Sequence, residues 1–211
     1  MGAKDWMLAF GETDPRTALR GHAALDRTAA RAAAERLYPG RTLTPVVDGT
    51  LGENANPDDG LVYVAALDGL TLVFTSLAAL DKPSQLPLPV LTAIPASRVY
   101  LHAMHSVVDW FAYAVWIAGH LRRSLSLAPD YGIMENLLEL MPFEQPYWVG
   151  RHPAVDPADA DPDDEPYPLP FHPLDLAETA LQELLDFTFE GLPRPDDLDP
   201  YEIPTAGFKI T

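Results

Sequence analysis

The strongest constraint on the fold is the run from Arg98 to Leu127, RVYLHAMHSVVDWFAYAVWIAGHLRRSLSL. It is dense in β-branched and aromatic residues, and no turn-forming pair interrupts it before Ala118-Gly119. Such residues suit a pleated, half-buried surface. The run divides into strands over Val99–Ser106, Trp110–Ile117 and Leu121–Leu127, with a bend at Val107–Asp109 and a turn at Ala118-Gly119-His120. In the last strand Leu121, Arg123, Leu125 and Leu127 alternate with Arg122, Ser124 and Ser126, the period of two that a strand requires. The run is therefore the middle of an antiparallel sheet.

The remaining elements arrange themselves around it. Trp6–Phe10 is a short apolar run ended by Gly11, and it reads as a first strand. Asp14-Pro15 supplies a helix cap and a first-turn proline, whose missing N–H costs nothing there. Ala23–Leu37 is rich in strong helix formers, with Leu25, Ala29, Ala32, Ala33 and Leu37 near one face, and Pro39-Gly40 stops it. Leu61–Leu67 and Leu70–Thr75 form a hairpin across Asp68-Gly69, a pair that tolerates positive φ. Prolines confine the stretch from Lys82 to Ala96 to a short helix near Pro89–Ile94. Ile133–Leu140 fits either a short helix or an irregular edge, and the aromatic loop 142–148 lies over one edge of the sheet. Leu174–Phe189 is helical, with Leu176, Ala180, Leu181, Leu184 and Phe187 apolar and Gly191 as the stop. Gly207–Ile210 is a last edge strand. The fold class is α+β: a mainly antiparallel β-sheet meander with two principal helices, at about 23–37 and 174–190, packed on one face. Residues 1–211 form a single domain with a mobile acidic insertion at about 154–165.

Composition narrows the function. A net charge of −17 argues against nucleic acid and against an anionic membrane surface, both of which need Lys and Arg. The absence of cysteine excludes disulfides, thiolate metal sites and a Cys nucleophile. The N-terminal residues lack the apolar core of a signal peptide, so a cytoplasmic protein is expected. No phosphate-loop pattern occurs, and no cofactor is expected.

Three constellations carry chemistry. His102, His105, Ser106 and Asp109 concentrate polar groups in the central run. His105 and Asp109 suit an acid–base or orienting pair near the bend, with Ser106 as nucleophile and His102 beside them. Ser106 lies in no GxSxG elbow, and Asp109 capping a turn with His105 packed behind it is the structural alternative. His102 and His105 do not make a zinc pair, because residues three apart on a strand face opposite ways and the Glu of an HExxH pattern is missing. No metal is expected. Trp110, Tyr113, Trp116, Tyr147 and Trp148 are candidate ligand-binding residues, though large strand aromatics also serve as core. Asp159, Asp161 and Asp163 resemble the start of a calcium loop but lack its glycine and terminal glutamate.

Taken together, MGAKDWMLAF, GENANPDDGLVYVA, VYLHAMHSVVDWFAYAVW, RRSLSLAPDYG, MPFEQPYW and YPLPFHPLDLAETAL resemble an uncharacterised family of actinobacterial proteins. The resemblance implies a bacterial cytoplasmic protein of one domain, and it carries no activity, substrate or catalytic residue. The function expected is a non-catalytic binding or interaction protein whose acidic surface favours a basic protein partner, with the aromatic loop at 143–148 as the contact. A small hydrolase-like enzyme using His102, His105, Ser106 and Asp109 is the alternative. A pocket for a small apolar molecule, lined by Trp110, Tyr113 and Trp116, is the third.

Overall fold

The structure, a computed structural model, describes residues 4–21, 24–155 and 165–211. Most of the expected acidic insertion at 154–165, with its aspartate series, lies outside the described residues. Ten strands are present among the described residues: β1 (Lys4–Gly11), β2 (Leu43–Pro45), β3 (Gly49–Thr50), β4 (Leu61–Leu67), β5 (Leu70–Phe74), β6 (Arg98–His105), β7 (Trp110–Ile117), β8 (His120–Ala128), β9 (Gly132–Leu137) and β10 (Pro204–Ile210). They form one antiparallel sheet in the order β2-β10-β4-β5-β1-β6-β7-β8-β9, with β3 also paired to β10. Six α-helices and three short 3₁₀ turns complete the fold among the described residues, the α-helices being α1 (Pro15–Arg20), α2 (Arg27–Leu37), α3 (Leu51–Asn54), α4 (Leu88–Leu91), α5 (Gln145–Trp148) and α6 (Pro173–Leu185).

The central run behaves as its composition requires, giving β6, β7 and β8 as consecutive neighbours. Its turn at Ala118-Gly119 places both residues at positive φ, 50° and 76°, and pairs Ile117 with His120. That is the two-residue geometry whose twist matches flanking strands. At Asp68-Gly69 only Gly69 is left-handed, at φ 74°, although the hairpin itself forms with Leu67 opposite Leu70. Residues 132–137 are an edge strand. The C-terminal strand is interior: β10 pairs with β4 on one side and with β2 and β3 on the other.

The two principal helices do not share a face, which corrects the expected arrangement. Along β1, Met7 and Ala9 belong to one apolar cluster, while Leu8 and Phe10 belong to the other. Central strands are thus apolar on both sides, and each side must be covered. Helix α2 buries Ala30, Ala33, Ala34 and Leu37 against the face of Leu8 and Phe10. Helix α6 buries Leu176, Ala177, Ala180, Leu181 and Leu185 against the face of Met7 and Ala9. Ala29, placed by periodicity on the apolar face of α2, is exposed. Asp26 caps the helix: its side chain accepts from the N–H groups of Thr28 and Ala29, so the helix starts at Arg27. Helix α6 ends earlier than Gly191, at Asp186, which takes the left-handed conformation and holds Arg20 at 2.6 Å.

Ala118 is an exposed non-glycine residue at positive φ, a conformation that costs an alanine roughly 1 kcal/mol. Ala118→Asn is expected to raise unfolding free energy by about 0.5–1 kcal/mol, since Asn tolerates this region without the entropic penalty of glycine. Urea denaturation with an unchanged m-value checks it.

Candidate functional site

The central polar residues are dispersed rather than gathered. Strand alternation sends His102 toward α6 and His105 to the opposite face, where it lies 6.1 Å from the Trp6 ring. His102 is buried: its Nδ1 meets Asp5 at 3.0 Å and its Nε2 meets the Ala177 carbonyl at 3.0 Å. Asp5, on β1, is fully buried beside it. Both ring nitrogens face acceptors, so the pair is completed by a proton on each nitrogen, or by one shared with the carboxyl group. Desolvation pulls the His102 pKa down, but the charge and hydrogen bond of Asp5 outweigh it and the pKa is raised. Burial raises the Asp5 pKa as well, against the opposing pull of His102.

His105 accepts the Val107 N–H on Nδ1 at 3.3 Å, so a hydrogen bond within the β6–β7 turn uses this atom. Asp109 occupies that turn at φ 46°, and its carboxylate faces His172 Nε2 at 3.6 Å instead of His105. Ser106 sits half-buried in the same turn. The four proposed catalytic residues therefore make no common site. A one-residue step along a strand reverses the side chain, and that geometry separates His102 from His105.

The ligand-binding aromatics divide in the same way. Trp110 and Trp116 belong to the apolar cluster under α2, whereas Tyr113 and Tyr147 belong to the cluster under α6, with Trp148 packed against it. The loop at 142–148 folds inward, and Tyr147 and Glu144 are buried. Of its three rings, Tyr147 is buried while Phe143 and Trp148 keep part of their surface in solvent.

Glu144 reveals why that loop turns in. With Arg123 it forms a fully buried ion pair, through Nε to Oε1 at 2.8 Å and Nη2 to Oε2 at 2.7 Å. The Tyr113 hydroxyl donates to Glu144, the Met141 N–H donates at 2.8 Å and the Trp148 indole at 3.2 Å. Arg123 Nη1 donates to Asn136 Oδ1 at 2.7 Å and to the Leu137 carbonyl at 3.0 Å. Burial, then the Glu144 charge, drives the Tyr113 pKa well up, keeping the phenol protonated. Arg123 was visible in sequence as one residue of the apolar row in β8, and a charge there demanded a buried partner. Nothing in the sequence pointed to Glu144, 21 positions away.

A hollow of about 680 Å³ lies along α6 and is walled by Tyr147, His152, His172, Asp175, Glu178 and Glu190, among others. Its walls are internally bonded. The Tyr147 hydroxyl donates to the Asp175 carbonyl at 2.9 Å and meets Thr179 Oγ1 at 2.6 Å. His152 stacks on Tyr147 with centroids 4.4 Å apart. His172 caps α6, its Nδ1 accepting the Leu174 N–H at 3.3 Å. Glu178 accepts the N–H groups of Phe189 and Glu190, each at 2.9 Å; its burial raises its pKa against those bonds. Sequence reasoning missed this cleft because its walls come from α5, α6 and the segment after α6. No group of three or more His, Asp or Glu among the described residues is placed to hold a metal ion.

Fold and site together define a mainly antiparallel α+β protein with a twice-covered sheet and a cleft of internally bonded polar groups. The chain belongs to the Family of unknown function (DUF6928), which matches residues 5–208. Comparisons with curated proteins and with solved structures give no match. No described helix is long and apolar enough to cross a membrane.

Two outcomes follow from the buried charges. Glu144→Gln leaves Arg123 buried with a neutral partner and is expected to cost about 3–5 kcal/mol, whereas Arg123→Met combined with Glu144→Leu recovers most of it. Urea titrations of the three proteins test this. His102, with its folded pKa above its unfolded value, contributes stability that is fully present below about pH 6.5 and is lost as pH rises through the folded pKa. Unfolding free energy should fall over that window, and Asp5→Asn should flatten the slope. An unchanged slope in the variant would assign the fall to another group.

Proposed function

We propose that this is a non-catalytic binding protein of the bacterial cytoplasm that receives a basic protein segment in the cleft along α6. The observation that carries the reading is the location of the acids. Residues 173–203, which include the helix and the segment after it, hold nine acidic residues and one basic residue. Asp175 and Glu190 line the cleft and are exposed, free to meet a cation. A cleft lined by one sign of charge concentrates ligands of the other sign and speeds their encounter.

The same walls argue against catalysis. Tyr147 and His172 spend hydrogen bonds on holding α6, and Glu178 spends both oxygens on backbone N–H groups. A general acid or base needs an atom within reach of substrate. The engagement of His102 with Asp5 and of Asp109 with His172 supports the same reading.

An oligolysine peptide tests the proposal. It should bind with an affinity that falls as ionic strength rises, and Asp175→Lys with Glu190→Lys should weaken it at least about tenfold, through like-charge repulsion. Reversal of Asp58 and Asp59, in the turn before β4, should have little effect. Equal losses from both pairs would mean attraction to net charge alone and would overturn the cleft as the site.

A further inference from the structure

The face of the sheet away from α6 carries a second hollow, of about 390 Å³, which shares no lining residue with the acidic cleft. It forms at one end of the central strands, where β1, β6 and β7 bring Trp6, His105 and Trp110 together. Pairing of Lys4 with His105 and of His105 with Trp110 fixes that juxtaposition. The Trp6 and Trp110 rings stand 5.6 Å apart at 58°, making an angled corner rather than a stack. Tyr131 and Asp130, from the β8–β9 turn, and Asp81 also line it, with Met134 and Val108 among the apolar walls. Both carboxylates are exposed, and Tyr131 keeps 76% of its surface in solvent.

We propose that this hollow binds a small organic cation of the alkylated-ammonium class. Aromatic faces attract cations through the ring quadrupole, most strongly for tryptophan. An alkylated ammonium sheds its weakly held water easily and places methyl groups against indole, while Asp81 and Asp130 supply the opposite charge. An anion would face both carboxylates, and a neutral apolar molecule would leave them without a role.

One further observation fits a cation site rather than a piece of core. The Lys4 ammonium lies 5.0 Å from the Trp6 ring centroid, so this ring already attracts a cation of the chain itself. Lys4 would repel a cationic guest, and the hollow should hold one more tightly without it. This site stands independently of the basic partner proposed for the cleft.

Calorimetric titration of the full chain with choline and with tetramethylammonium tests the proposal. The neutral carbon isostere of choline, dimethylbutanol, serves as control. Both cations should bind, and the isostere should bind at least about fivefold more weakly, the loss expected of a cation–π contact. Asp81→Asn with Asp130→Asn should weaken the cations and spare the isostere, while Lys4→Gln should tighten the cations alone. The cleft reversals at Asp175 and Glu190 should leave choline affinity unchanged, which separates this site from the proposed partner surface. Equal affinity for choline and its isostere would make the hollow merely apolar and overturn the proposal. So would an absence of cation binding by both the wild type and a Lys4→Gln variant with native circular dichroism.

Discussion

The two-sidedness of the central strands governs this structure. Met7 and Ala9 face one way along β1 and Leu8 and Phe10 the other, all essentially without solvent exposure. Fully burying one large apolar side chain contributes about 1.5–3 kcal/mol, so neither face can be left open. Coverage by α2 on one side and α6 on the other follows from that requirement. The antiparallel ladder supplies no crossover helices that would cover it automatically, as a parallel sheet would. Cover comes instead from segments far apart in the chain, and α6 arrives only after the sheet's first nine strands are complete.

That late arrival explains the buried polar groups. A helix docked on an apolar sheet by hydrophobic contact alone has little to fix its sliding position, because dispersion is non-directional. The His102 ring joins Asp5 on β1 to the Ala177 carbonyl of α6, giving the docking a directional point. Arg123 and Glu144 do the same for the loop that leads into α5, joining β8 to residues near α6. Both arrangements are costly to desolvate and gain little net stability over an apolar replacement. Their contribution is to position: each specifies one placement among several that would bury similar area.

The legibility of the sequence tracks the range of the interactions. Strands β6, β7 and β8 and the two hairpin turns were readable because alternation and turn chemistry are local, written within about ten residues. Face assignment was not, since it depends on which distant helix covers which side. His102 illustrates the division. Its presence on a strand was evident, but its partner lies 97 positions earlier and the carbonyl it meets lies 75 positions later. Asp109, paired by proximity with His105 in the sequence, meets His172 instead, at the cap of a helix 63 residues on. The candidate catalytic group failed for a reason that was nevertheless local: His102 and His105 are an odd number of residues apart on one strand, so a regular pleat sends them to opposite faces.

Where the interior is internally bonded, unspent chemistry collects at the margins. His102, Arg123 and Glu144 each have their polar atoms engaged, and Glu178 is held by backbone N–H groups. Such groups are poor at meeting a ligand, because each new contact must first break an existing one in a low-dielectric setting. Carboxylates that line a hollow and remain in solvent have no such debt. Asp175 and Glu190 stand in this position on the α6 side, and Asp81 and Asp130 on the other. All four come from loops or helix ends rather than from the pleated centre of the sheet, the usual division between a rigid scaffold and the segments that carry recognition. The two hollows differ in what accompanies the acids: internally bonded hydroxyls and amides in one, and an angled pair of indoles in the other. A multivalent basic segment suits the first, where many charges act at long range, and a compact cation suits the second, where contact with a ring face decides the affinity.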